Sequence, residues 1–400
     1  MSDARPEIDV VAVVGAGTMG AGIAQVAAMG GLRCLVFDPV QAARDTVRDR
    51  IAGSLERGVG RGFWSADQAE AGLARIEVVD TLDGAAEAGL AIEAVPESLE
   101  LKREIFQRLE AACPEETVLA TNTSSLSVTA IAAGLARPER MLGLHFFNPV
   151  PAMSLVEVVS GEATDPGCAD RAHRAVTRMG KTAIRAQDAI GFVANRCARP
   201  FTLEGLRMAT ELGLPPAEID RICRLGGGFP MGPFELVDLV GADINLAVAR
   251  SFFEQSFGEP RWRPSQTQVR MVDAGRLGRK AGRGFYEYGH GPHREPDPEV
   301  GDARPILDPD RLTDIAGPNA ATVMGWMSAQ IVNESVFTLA EGIATEADID
   351  TAMLEGFNWP VGPIEWGRQI GFQSVIETLE RLRGAYGEAY RPAPLLRELT

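Results

Sequence analysis

His145 and Glu157 are the side chains of this 400-residue sequence whose type and setting best suit chemistry. His145 lies near the end of an apolar run, in Gly143-Leu144-His145-Phe146-Phe147-Asn148-Pro149-Val150-Pro151. Glu157 is the lone carboxylate in the next run, 155–159. An imidazole changes charge near neutral pH, and an adjacent carboxylate holds the ring and stabilises its protonated form, so such a pair suits a general base. By itself a strand histidine is more often a satisfied core group. A further polar segment, Thr121-Asn122-Thr123-Ser124-Ser125-Leu126, adds serines, yet the chain has no G-x-S-x-G elbow to make a hydrolase of them.

The context that makes the pair catalytic lies near the N-terminus. Val11-Ala12-Val13-Val14-Gly15-Ala16-Gly17-Thr18-Met19-Gly20 reads as a strand running through G-x-G-x-x-G into a helix. Gly15 permits the tight turn, Gly17 admits the pyrophosphate of a dinucleotide, and Gly20 allows close helix–strand packing. Thr18 and Met19 open the helix whose free N–H groups face the phosphates. Asp38 ends the next apolar run, 18 residues after Gly20, where its carboxylate accepts from ribose hydroxyls and repels a 2′-phosphate. No arginine follows it directly, which favours NAD over NADP. FAD uses the same fingerprint and stays open on this motif alone. A histidine with a nearby carboxylate at the carboxyl edge of such a sheet reads as catalytic.

The positioning elements follow from periodicity. Apolar runs at 10–14, 34–37, 76–79, 90–95, 118–121 and 141–147 alternate with amphipathic stretches such as 18–29, 99–112 and 127–135. Nearly all-apolar strands separated by helices predict a mostly parallel sheet buried on both faces. After Asp188 the alternation gives way to helices punctuated by Pro and Gly. At a constant offset of 130, Glu204/Glu334, Asp220/Asp350, Gly226/Gly356, Pro230/Pro360, Gly232/Gly362, Pro233/Pro363 and Glu235/Glu365 coincide, which marks a duplicated helical unit whose copies pack as a pseudo-symmetric pair. The predicted fold is α/β: a Rossmann-type dinucleotide-binding domain (1–188), a first helical domain (189–288), a Gly/Pro/Asp-rich linker (289–315) and a second helical repeat (316–400).

Together the segments GAGTMGAGIAQ (15–25), EAVPE (93–97), TNTSSL (121–126), GLHFFNPVPAMSLVEVV (143–159), GFVANR (191–196), GGGFPMGPFELVDLVG (226–241) and GRKAGRGFYEY (278–288) resemble the 3-hydroxyacyl-CoA dehydrogenase family, in particular its 3-hydroxybutyryl-CoA dehydrogenase-like members. The duplicated helical domain resembles that of longer members. The resemblance implies His145 as catalytic base with Glu157 as its partner, and Ser124 and Asn195 as substrate-positioning groups. It also implies Glu97 and Lys102 near the nicotinamide half of NAD, with Asn122 among the cofactor-binding residues. The repeat aligns Gly325 with Asn195 and has no counterpart of His145, so it is expected to be non-catalytic. Short members look like dimers joined through their helical domains, so two copies in one chain imply a monomeric pseudo-dimer or a homodimer.

Composition bounds the remaining choices. With 39 Lys and Arg against 55 Asp and Glu the net charge is −16, which argues against nucleic acid or an anionic membrane as partner. No apolar stretch is long enough to span a bilayer, and residues 1–9 lack the pattern of a secretion signal. Five scattered cysteines without a C-x-x-C pair read as reduced thiols in the cytoplasm. Four histidines (145, 173, 290 and 293) form no ligand spacing, so no metal is expected. An acyl-CoA substrate needs local positive charge, and Arg44, Arg48, Arg50, Arg57 and Arg61 stand where the resembled family places CoA contacts, though they equally suit a solvated helix face. Three readings stay open: an NAD-dependent (S)-3-hydroxyacyl-CoA dehydrogenase for short-chain or dicarboxylic thioesters, a dehydrogenase of a free hydroxy acid such as L-gulonate or carnitine, and a non-catalytic relative of the lens-crystallin kind.

Overall fold

Apolar strands of four to six residues are stable only when both faces are covered, and the chain meets that demand with one sheet and the helices packed on it. The computed structural model describes residues 7–289, 291–301 and 305–400. Residues 1–6 of the stretch checked for a secretion signal, and His290, lie outside them. The chain forms two compact units, Met1–Phe192 and Val193–Thr400.

The first unit runs β1 (Val10–Val14), α1 (Thr18–Met29), β2 (Arg33–Phe37), α2 (Gln41–Gly60), α3 (Ala66–Ala74), β3 (Ile76–Val78), β4 (Leu90–Glu93) and α4 (Leu99–Ala112). It continues with β5 (Val118–Thr121), α5 (Val128–Ala132), β6 (Met141–Phe146), β7 (Leu155–Ser160), α6 (Pro166–Arg178) and β8 (Thr182–Gln187). The strand order is β3-β2-β1-β4-β5-β6-β7-β8, parallel throughout except for the antiparallel β6–β7 pair. The order reverses between β1 and β4, the position at which open α/β sheets bind dinucleotides. Because β1, β4, β5 and β6 run the same way, their last residues, including Glu93, Thr121 and His145, gather on the carboxyl edge beside the glycine loop.

Strand β8 was not among the expected runs. Thr182–Gln187 alternates, with Ile184 and Ala186 buried and Arg185 and Gln187 exposed, because an edge strand is covered on one side only. Helix α5 is also shorter than the predicted 127–135 and ends at Ala132, before Gly134.

The second unit comprises α7 (Ala194–Glu211), α8 (Pro216–Gly227), α9 (Pro233–Val240), α10 (Ala242–Gln255), α11 (Gln266–Asp273), α12 (Pro309–Ala316), α13 (Ala320–Ala340), α14 (Glu346–Phe357), α15 (Pro363–Ile370) and α16 (Phe372–Tyr386). The offset of 130 carries α8 onto α14 and α9 onto α15 residue for residue. Asp220 accepts from the Phe234 and Glu235 amides, as Asp350 does from Ile364 and Glu365, so each copy caps its third helix in the same way. The copies pack through α7 against α13.

Helix α12 lies inside the segment expected to be linker. Asp308 caps it by accepting from the Arg311 amide, and Pro309 occupies its first turn. Nor is the Gly/Pro-rich stretch before it slack: His293 and Arg294 contact Glu235, and Asp297 pairs with Arg224.

Candidate active site

The glycine loop has the shape a dinucleotide requires. Gly15 holds φ at +108°, and a Cβ there would lie 2.6 Å from the Ala94 carbonyl oxygen. A Cβ on Gly20 would strike the Gly15 carbonyl oxygen. At Gly17, by contrast, a Cβ would meet nothing within 4 Å, so the open side of the loop is at that residue. Gly17 is the N-cap of α1 and supplies no side-chain cap, which leaves the first amides of the helix, those of Thr18 and Met19 among them, for an anion. Asp38 braces the loop: its Oδ2 accepts from the Ala16 amide at 2.8 Å and its Oδ1 from the Val40 amide at 2.9 Å.

Next along the edge is a carboxylate cluster only partly foreseen. Glu93, at the end of β4, is fully buried and forms an ion pair with the equally buried Lys102 at 2.7 Å. It also accepts from the Thr121 hydroxyl and the Val95 amide. Lys102 reaches Glu97 at 3.3 Å, so any part it has in cofactor binding is exerted through Glu97. Glu97 in turn accepts from the Thr123 and Ser125 hydroxyls and from the Ser124 and Ser125 amides. Burial raises the Glu97 pKa, but the hydroxyls of Thr123 and Ser125 and the Lys102 charge outweigh it, so the carboxyl sits below its ordinary range. In the sequence Glu93 is masked by the apolar character of the 90–95 run. Its signal was the one that marked Glu157, a single carboxylate in a buried strand.

Glu97 thus pins the loop that bears Ser124, which is itself exposed. Asn122, half-buried, accepts through Oδ1 from the Phe146 amide and so ties the end of β5 to the end of β6. His145 and Glu157 lie directly opposite each other in the β6–β7 register, with Nδ1 2.6 Å from Oε2. Glu157 is fully buried and His145 nearly so. With Nδ1–H given to the carboxylate, Nε2 is left as the basic nitrogen. Phe147 and Phe192 flank the imidazole, at 4.4 and 5.7 Å between ring centroids. Asn195 belongs to the other unit, half-buried in the first turn of α7. Among the described residues, no group of three or more His, Cys, Asp or Glu could hold a metal ion.

With this geometry in place, comparison with known proteins is decisive. Residues 10–189 match the family described as 3-hydroxyacyl-CoA dehydrogenase, NAD binding domain, and residues 191–288 and 324–400 match the C-terminal domain of the same family. The chain belongs to the 3-hydroxyacyl-CoA dehydrogenase family. Over 98% of its length it is 38% identical to 3-hydroxyadipyl-CoA dehydrogenase of Escherichia coli, of which it covers 97%. It is 43% identical to 3-hydroxybutyryl-CoA dehydrogenase of Mycobacterium tuberculosis over 72% of this chain and all of that one. A crystal structure described as 3-hydroxybutyryl-CoA dehydrogenase from Escherichia coli superposes with a TM-score of 0.90 at 37% identity, covering 98% of both chains.

As a 3-hydroxyacyl-CoA dehydrogenase the chain is an NAD-dependent oxidoreductase, which closes the FAD alternative. The open face at Gly17, the uncapped start of α1 and the carboxylate of Asp38 fit NAD. The family's C-terminal description matches both helical copies, in keeping with the repeat read at offset 130. No described helix is long and apolar enough to cross a membrane.

Proposed function

We propose that this dehydrogenase interconverts (S)-3-hydroxyacyl-CoA and 3-oxoacyl-CoA, with His145 as base and Glu157 as its partner. The observation that carries the proposal is the 2.6 Å contact between Nδ1 of His145 and the buried Glu157, which reserves Nε2 for the substrate hydroxyl. His145 takes that proton, and Glu157 stabilises the imidazolium that results, an effect typically worth about 10²–10⁴-fold for general-base catalysis. NAD, held at the glycine loop, would supply the hydride acceptor for this oxidation. Ser124 donates to the oxygen on which charge develops, on a loop that Glu97 holds through four hydrogen bonds. Asn195 is a substrate-positioning group on this reading.

A cavity of about 410 Å³ in the first unit supports an acyl-CoA. It lies along α1 and is lined by Arg50, Arg57, Arg61 and Trp64 on one side and by Asn148 and Pro151 on another. Three guanidinium groups on a chain of net charge −16 favour a phosphate-bearing ligand there. Arg44 and Arg48 donate to the carbonyl oxygens of Asp38 and Ile76, and Arg50 to that of Ala16, so these three also brace the fold. The chain acts as a monomer on this reading, since Glu204 of one helical copy accepts from Trp326 and Tyr390 of the other, while Glu334 accepts from Arg196 and Arg261. Five free, buried cysteines suit a cytoplasmic protein.

The test is NADH oxidation with acetoacetyl-CoA by the wild-type enzyme and His145→Gln. Rapid turnover that the substitution abolishes supports the assignment. Absence of turnover together with NAD reduction by free L-gulonate or carnitine would move the same chemistry to a substrate without CoA.

A further inference from the structure

The strands that carry His145 and Glu157 are joined by the loop 147–154, which touches every part of the first unit's site. Phe147, at its start, flanks the imidazole. Val150 packs on α1, and Gly22 makes the room for it: a Cβ there would lie 2.8 Å from the Val150 Cβ. Residues 148–152 form one wall of the cavity along α1. Inside the loop the Ala152 and Met153 amides both donate to the Pro149 carbonyl oxygen, which makes a tight turn. The carbonyls of Val150 and Met153 bond outside it, to a single side chain.

That side chain is Lys181, in the bend between α6 and β8. Its Nζ donates to the Val150 carbonyl oxygen at 2.6 Å and to that of Met153 at 2.7 Å. The residue is only 8% exposed. Burial alone pulls its pKa down, to about 8, and no carboxylate opposes the shift. An apolar side chain would fill the same space without the loss of hydration that a buried ammonium suffers. What the ammonium supplies instead is a pair of charge-assisted hydrogen bonds to carbonyls three residues apart, which clamp the turn in one shape. Lys181 is not on the wall of the cavity along α1, whereas Val150 is, so its influence on a ligand there runs through the loop.

We propose that Lys181 is a positioning residue for acyl-CoA binding, whose clamp on Val150 and Met153 pre-forms the 148–152 wall of the cavity along α1. The inference rests on the reading of that cavity as the acyl-CoA site. With the clamp removed, the ligand itself must order the wall, and affinity falls by the free energy that ordering takes. The catalytic pair is held by the β6–β7 register and the dinucleotide by the glycine loop, so neither depends on Lys181.

The experiment measures kcat and KM for acetoacetyl-CoA at saturating NADH, with NADH affinity from fluorescence titration. Lys181→Met keeps the length of the side chain and removes its donors. It is expected to raise KM by about 10-fold, with kcat within about 2-fold of the wild type and NADH affinity unchanged. Lys181→Arg, which keeps charge and donors, should recover part of the loss. Should Lys181→Met fail to fold, Lys181→Gln, with one donor group and no charge, gives the same readout with a smaller rise in KM. An unchanged KM, or a fall in kcat or NADH affinity as large as the rise in KM, overturns the inference and leaves the 3-hydroxyacyl-CoA reading standing. Absence of acetoacetyl-CoA turnover in the wild type overturns that reading and the inference with it.

Discussion

Glu157 faces His145 from the one antiparallel neighbour in an otherwise parallel sheet, and the two side chains meet at 2.6 Å because their residues are directly paired across β6 and β7. Opposed side chains of antiparallel strands share one face at close range, so the register itself aims the carboxylate at the imidazole. A slip of one residue would turn Glu157 to the other side of the sheet.

Glu157→Gln therefore leaves the imidazole in place while removing the charge that stabilises its protonated form. We expect kcat to fall by about 10²–10⁴-fold, with NADH affinity nearly unchanged. Steady-state kinetics with acetoacetyl-CoA, alongside NADH fluorescence titration, checks both. Loss of NADH binding in parallel with kcat would show that Glu157 serves the fold rather than the base.

Asp38 braces the Ala16 and Val40 amides, and on the proposed reading its carboxylate also meets the adenosine ribose. Asp38→Ala removes both, and the expected result is a rise of about 10–100-fold in the NADH dissociation constant. Asp38→Asn keeps an acceptor and should fall between the two. Isothermal titration of the three proteins with NADH would decide, and equal affinities would remove Asp38 from the site.

Glu334 neutralises two buried arginines, Arg196 and Arg261, at 2.8 and 2.7 Å. Removing one partner of a buried ion pair leaves an uncompensated charge, so Glu334→Ala should destabilise the helical unit by about 3–5 kcal/mol. Urea denaturation followed by tryptophan fluorescence measures this, since all five tryptophans except Trp64 lie in that unit. A midpoint within experimental error of the wild type would contradict the assignment.

Asp220 gives the helical unit a pH dependence. Burial pushes its pKa up to about 7, against opposing hydrogen bonds from Tyr286 and from the Phe234 amide. A carboxyl that holds its proton more tightly folded than unfolded stabilises fully below about pH 4, and that contribution is lost as pH rises through about 7. The stability of the unit should thus decline between pH 4 and 7, by an amount on the order of 4 kcal/mol. Asp220→Asn should flatten the decline. Denaturation midpoints at pH 5 and pH 8 for both proteins would reveal a slope that the substitution does not alter, if the assignment is mistaken.

Much of the first unit was legible because its signals are local. A strand buried on both faces must be apolar along its whole length, which made β1, β2 and β5 readable, and the helices 18–29 and 99–112 coincide with α1 and α4. Strand β8 escaped because it is covered on one face only. Helix α12 escaped because Pro, Asp and Gly around 301–317 resemble a linker, although Asp308 and Pro309 are also a helix start.

What the sequence determined by itself is what consecutive residues can encode: the glycine turn, the alternation of strand and helix, and the duplicated pattern at offset 130. Tertiary structure alone decided which distant residues share a charge. Glu93 looks like an interruption of a strand until Lys102 and Thr121 close around it. Glu334 and Glu204 look like ordinary helix-surface acids until each is buried against the other copy. Lys181 looks like an ordinary turn residue before β8; only packing shows its buried ammonium bonded to the Val150 and Met153 carbonyls. The reason is electrostatic. The energy of a charge depends on its distance from water and from other charges, and that distance exists only once the chain has folded.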